Sequence, residues 1–226
     1  MLYAVTAMPA AAQTTGMQPL GGQTSAQQPP PAQPAAAQAA GESGAAVESP
    51  MDVVNDLHNM LLKAMQGGKN LGYAGRYSLL EPVIASHFDT PLIVKVILSR
   101  YWDQMTALQK KSFIAVFQKL TVSTYASRFD DYNGEKFVEL STEQLTKGRV
   151  LIKTELQRPN DKPVKLDYLM QQDNGRWLII SVIADGVNDL SLKRAEYAAV
   201  IKDKGYDGLL NDIEQKIKGM ESDKGS

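Results

Sequence analysis

The chain has 226 residues, 43% of them hydrophobic, and a formal charge of −1. That is enough for one domain with a sizeable core, and it gives no overall field to steer the chain onto nucleic acid or an anionic surface. There is no cysteine, which excludes disulfides, thiolate catalysis and cysteine-type zinc sites, and no run reaches the ~18 apolar residues of a membrane span.

Residues 1–41 carry no charged side chain, and Ala, Gln, Pro and Gly fill 29 of those positions. Such a segment cannot bury enough apolar surface to offset chain entropy, and it reads as disordered. Its opening, MLYAVTAMPAAAQ, resembles the end of a secretory signal, with Ala10-Ala11-Ala12-Gln13 as a small-residue cleavage site but without a basic n-region. The alternative is an ordinary Ala-rich tail. The expected organisation is a signal remnant and spacer over 1–48, a folded domain over 49–219 and a frayed tail over 220–226.

Ser49, Pro50 and Asp52 supply an N-cap, a first helical position and a first-turn acid. Val53, Val54, Leu57, Met60, Leu61 and Ala64 follow at helical spacing, with His58 assigned to the polar side. Gly67-Gly68 stops this helix. A second covers about 71–87, with Pro82 as a break or a new first turn. Asp89-Thr90-Pro91 opens a third, to about Trp102. Thr106 to Gln109 is a capping box for the longest helix, about 107–127.

From Glu135 the period becomes two. Val150, Ile152, Thr154 and Leu156 share one face, and after a turn at residues 159–162 Val164, Leu166, Tyr168 and Met170 repeat the pattern. Asp173-Asn174-Gly175 is a hairpin turn. The next strand, Arg176 to Ala184, is apolar on both faces: Trp177, Ile179 and Ile183 on one, Leu178, Ile180 and Val182 on the other. It is expected to be central or covered by a helix. Two helices close the chain, about 190–203 and from Asp207, separated by Gly205. The fold class is α+β: N-terminal helices, a twisted antiparallel sheet of about four strands, and C-terminal helices.

Catalytic patterns are sparse. His58 and His87 have no second ligand at metal spacing, and there is neither a G-x-S-x-G elbow nor a Gly-rich phosphate loop. Asp130-Asp131 reads as a solvated turn, and the stretch from Asp185 to Asp189 as a turn with a helix cap, although a loop after a buried strand can carry a site. Asp103, Glu135 and Glu155 have no evident acid–base partner. Lys110-Lys111 and Lys193-Arg194 read as solvated helix faces, or as part of a docking surface for a partner or a lipid headgroup. What remains is apolar mass on two facing layers. Pattern alone leaves open whether it fills a core or lines a hollow.

The run from Tyr77 to Ile84, then His87-Phe88-Asp89, resembles the MlaC-like or toluene-tolerance family. So do Tyr101-Trp102 with Thr106 and Gln109, the series Phe113, Phe117, Leu120, Tyr125-Ala126, and Tyr132-x-Gly134 before Phe137. The likeness continues through Asp173-x-Gly175-x-Trp177, Gly186-Val187, Tyr197 and Gly205-x-Asp207-x-Leu209, and spans about 49–218. The resemblance implies a periplasmic, non-enzymatic lipid carrier with an apolar cavity between helices and sheet, no cofactor, and bound lipid as its ligand. It implies exchange with an inner-membrane ABC transporter and its MCE-type partner and with an outer-membrane acceptor, and no nucleic acid. Tyr77 to Leu80, His87 to Asp89 and Asp185 to Ser191 look closer to the hopanoid-associated, HpnM-like branch than to the phospholipid carriers. The side chains expected to line the pocket, chosen as large apolar residues on inward faces, are Tyr101, Trp102, Phe113, Phe117, Tyr125, Ile152, Tyr168 and Met170. The rivals are a solid-core interaction or scaffold protein of the envelope, and an enzyme with Asp167 or Asp185 facing the pocket.

Overall fold

The computed structural model describes residues 48–223, so the signal-like opening and the Ala/Gln/Pro-rich segment lie outside the described residues. The helices begin where local chemistry dictates. Ser49 and Asp52 form a reciprocal capping box that opens α1 (Pro50–His87). Asp89 caps α2 (Thr90–Leu98) by accepting the Leu92 N–H at 2.9 Å. A 3₁₀ segment follows (Ser99–Gln104), and Thr106 with Gln109 then opens α3 (Ala107–Arg128) through a second capping box.

Gly67-Gly68 bends the first helix without ending it. Gly68 (φ 40°, ψ −123°) and Gly72 (φ 60°, ψ −176°) leave helical geometry, and the helix resumes after them. The positive φ values are available to glycine at little cost. Buried Arg76 holds the bend. Its Nε donates to the Ala126 carbonyl and its Nη1 to the Gly68 carbonyl, both at 2.8 Å, which ties the bend to the end of α3. Pro82 does not break the chain as expected. Leu80, Val83 and Ile84 are buried on either side of it, and tertiary packing outweighs the lost hydrogen bond. The Arg176 guanidinium pins the end of α1 by donating to the Ser86 carbonyl at 2.9 Å.

The sheet is a meander in the order β1-β2-β3-β4-β5, comprising β1 (Lys136–Gln144), β2 (Val150–Arg158), β3 (Asp161–Asp173), β4 (Arg176–Ala184) and the two-residue β5 (Val187–Asn188). All neighbours are antiparallel. Asn174-Gly175 (φ 49° and 80°) and Asp185-Gly186 (φ 49° and 80°) make the tight turns that match the twist of the flanking strands. Rows of side chains cross the helix-facing side: Phe137–Leu156–Val164, Ile152–Tyr168–Val182 and Val150–Met170–Ile179.

The parity expected for β4 is wrong. Leu169 pairs with Ser181 while Met170 pairs with Ile179, so Ile180 is an extra residue. This bulge puts Ile179 and Val182 on the same side, and Trp177, Ile179, Val182 and Ala184 join the core. Nor is β4 central. It lies one strand from the sheet edge, with α1, α2 and α4 packed on it.

The chain closes with α4 (Asp189–Asp223), bent at Gly205 (φ 73°, ψ −174°). The helix continues past Gly219, where fraying was expected, because Leu209 and Ile213 are buried and Ile217 and Met220 pack on the core. No helix among the described residues is long and apolar enough to cross a membrane.

Candidate functional site

The helix-facing side of the sheet and the helices laid on it meet in one apolar layer. Phe113 and Phe117 of α3, Ile152 of β2, and Tyr168 and Met170 of β3 are all buried in it, and Trp102 and Tyr125 pack against it. Seven of the eight expected lining residues are therefore brought together. Tyr101 is not among them. It is half-buried on the 3₁₀ segment, where its hydroxyl accepts from Arg100 at 3.2 Å.

The two layers touch. A void large enough for water would leave accessible surface on its lining; Phe113, Ile152 and Met170 have none, whereas Tyr125, Phe137 and Val182 of the same layer keep some. Helix and sheet meet where the His58 ring lies on Phe137; on the helical side Phe113 meets Tyr197 edge-on with ring centroids 6.1 Å apart, and Tyr125 stands edge-on to Phe88 at 6.0 Å. Open clefts lie elsewhere. One of about 410 Å³ runs along Gly134, Lys136, Glu155 and Pro159, and one of about 290 Å³ lies over the α1 bend at Gly67, Gly68 and Tyr132. Neither includes an expected lining residue.

The layer contains a polar node that the sequence reading misplaced. His58 is buried, not solvent-facing. It stacks on Phe137 at 3.8 Å with rings 8° from parallel, and its Nε2 shares a hydrogen bond with the Tyr168 hydroxyl at 2.9 Å. Burial holds the imidazole neutral by lowering its pKa from 6.5 to about 3. The Tyr168 hydroxyl is pushed well above its ordinary value by burial and, secondarily, by Tyr125. The signal was present. His58 falls four residues after Val54 and three before Leu61, inside the apolar stripe. His87, by contrast, pairs with Asp56 at 2.9 Å near the surface.

Neither carboxylate of the enzyme reading faces this layer. Asp167 alternates away from Tyr168 and sits opposite Lys153 on the outer face. Desolvation raises its pKa, while Lys153 and Lys165 lower it. Asp185 closes the sheet by accepting the Lys165 N–H at 2.9 Å. Asn188 accepts from the Leu190 N–H at 3.0 Å, so this loop is a turn and a cap. Asp131 accepts its neighbour Tyr132's N–H at 3.0 Å, and buried Glu135 accepts from the Asn133 N–H at 2.6 Å. Among the described residues, no group of three or more His, Asp or Glu is placed to hold a metal.

The architecture defines an α+β protein of helices on an antiparallel meander sheet, with an aromatic-rich apolar layer and a neutral polar pair between them. Residues 55–215 match the family described as MlaC protein, and the chain belongs to that family. Its fold is similar to that of a phospholipid-binding protein from Ralstonia solanacearum, solved in complex with a phospholipid. The match has a TM-score of 0.66 at 18% identity and covers 74% of this chain and 96% of the other.

Proposed function

We propose that this protein is a non-enzymatic lipid carrier of the bacterial periplasm that holds acyl chains between its helix layer and its sheet. The observation that carries the reading is the make-up of that layer. Its buried face presents Phe113, Phe117, Ile152 and Met170, and its largest polar element is the neutral His58–Tyr168 pair. Membership of the MlaC family and the phospholipid held by the Ralstonia relative support it.

The physical task is large. Two sixteen-carbon chains expose about 30 methylenes, and burying each is worth about 0.8 kcal/mol, so escape into water costs on the order of 20 kcal/mol. A carrier must replace that environment without chemistry. Where the layers touch, as at His58 with Phe137 and Tyr168, entry of a chain requires the helices to lift from the sheet. The helical layer is already divided at Gly68, Gly72, Ser99 and Gly205, all with positive φ. Rigid pieces joined at a few such residues can move apart while each keeps its own hydrogen bonds. Phe113, Phe117, Tyr168 and Met170 then become the pocket walls, with Trp102 and Tyr125 at their margins. Delivery requires a partner that opens the same pieces. An inner-membrane transporter of the ABC and MCE type and an outer-membrane acceptor fit that role, and phospholipid and hopanoid are the two cargo classes.

The test is to purify the full chain without detergent, extract it and identify lipid by mass spectrometry, then repeat after incubation with phospholipid vesicles. About one diacyl lipid or one hopanoid per protein is expected. A protein that yields no lipid and takes none from vesicles would rule the carrier reading out and leave the interaction-protein reading.

A further inference from the structure

Three cations from three elements converge on the 3₁₀ segment. Lys110 of α3 places its ammonium 5.1 Å from the centre of the Trp102 ring, and the Arg100 guanidinium lies 5.1 Å from that of Tyr101. From α4, Arg194 donates to the Ser99 hydroxyl at 2.7 Å. Asp103 is the sole carboxylate among residues 99–111, against Arg100, Lys110 and Lys111. At the start of α4, Asp189 is engaged by Lys193 at 2.9 Å. The lip formed by residues 99–111 thus carries a net +2, although the whole chain carries −1 and the start of α4, with Asp189 and Glu196 against Lys193 and Arg194, is balanced.

It is also amphipathic. Trp102 and Met105 are half-buried with their inner sides on the core. Leu108, at the first turn of α3, is 74% exposed, more than any other large apolar side chain among the described residues. Aromatic rings with an apolar body and a polar edge, cations around them and one apolar side chain standing outward are the parts of a surface that rests at a lipid headgroup boundary.

We infer that this lip docks the protein on an anionic phospholipid surface. Charge complementarity selects the headgroups, and Leu108 with Trp102 enters the boundary beneath them. An acidic protein surface would satisfy the cations but leave Leu108 without a function, so a bilayer fits better. The surface lies at the outer edge of the apolar layer, with Trp102 and Met105 backing onto it, and the inference goes beyond lipid carriage. Docking lets exchange occur at the membrane without making the apolar layer itself adhesive.

The experiment is flotation of the full chain with vesicles of phosphatidylcholine alone and of phosphatidylcholine with phosphatidylglycerol. The protein is expected to float with the second and be released by high salt. Reversing all three charges (Arg100→Glu, Lys110→Glu, Arg194→Glu) is expected to weaken vesicle affinity by at least about a hundredfold, from roughly fivefold per cation lost near the surface with the added repulsion of three carboxylates on top. Leu108→Asn is expected to weaken it severalfold, and in a Trp177→Phe background Trp102 emission is expected to shift to the blue on docking. Lipid co-purified with the triple variant should match the wild type, which separates lost docking from a failure of the carrier reading. Equal partition onto both vesicle types, no partition of the wild type, or a folded triple variant that floats like the wild type would overturn the inference. The second result would leave an acidic protein as the partner these cations fit.

Discussion

At the scale of single residues, His58 is a group whose chemistry the fold alters strongly within the accessible pH range. Its imidazole titrates near 6.5 when unfolded and at about 3 when buried. Between those values the unfolded chain binds a proton that the native state refuses, so stability falls as pH drops from about 6.5 toward 3. Above about 6.5 both states are neutral and the contribution is full. The slope is about 1.4 kcal/mol per unit, so lowering the pH from about 7 to about 5 removes about 2 kcal/mol through this group. Urea unfolding of the wild type and His58→Gln at those two pH values checks this. The wild type is expected to lose about 2 kcal/mol more than the variant. Identical acid sensitivity would mean that His58 is not the group responsible.

At the scale of elements, the residues with positive φ decide how the helices are divided. Gly205 has open space around it, so a methyl group there meets nothing; only its backbone (φ 73°, ψ −174°) resists a side chain. Gly205→Ala is therefore expected to cost about 1–3 kcal/mol. Gly219→Ala, also in open space but without positive φ, is expected to be neutral or to stabilise by up to about 1 kcal/mol. Equal effects in denaturant melts would show that the bend at Gly205 is not imposed by its backbone. The same contrast explains what was legible in the sequence. Helix starts at Ser49, Asp89 and Thr106 were readable because a cap is a local hydrogen bond. The faces of β2 and β3 were readable because burial on one side enforces alternation. The face of β4 was not, because the extra residue at Ile180 is a property of its pairing with β3 rather than of its own composition. Pro82 was misread for a related reason. Its local cost is outweighed by buried neighbours that only the tertiary fold supplies.

At the scale of the whole molecule, the two layers hold together through apolar contact that a lipid would have to share. The sequence pointed to most of the side chains that meet there, but an inward-facing Phe113 or Met170 looks the same in a pattern whether it fills space or borders it. The structure buries both side chains in one apolar cluster, so under the proposed function a lipid would exchange side-chain contacts for acyl-chain contacts between helices and sheet. The most direct measurement is photocrosslinking with a phospholipid carrying a diazirine at the end of an acyl chain, followed by peptide mapping. The account predicts adducts on the strands and helix that bear Ile152, Tyr168, Met170, Phe113 and Phe117. Adducts confined to the exposed lip at residues 99–111, or to the cleft beside Pro159, would contradict it.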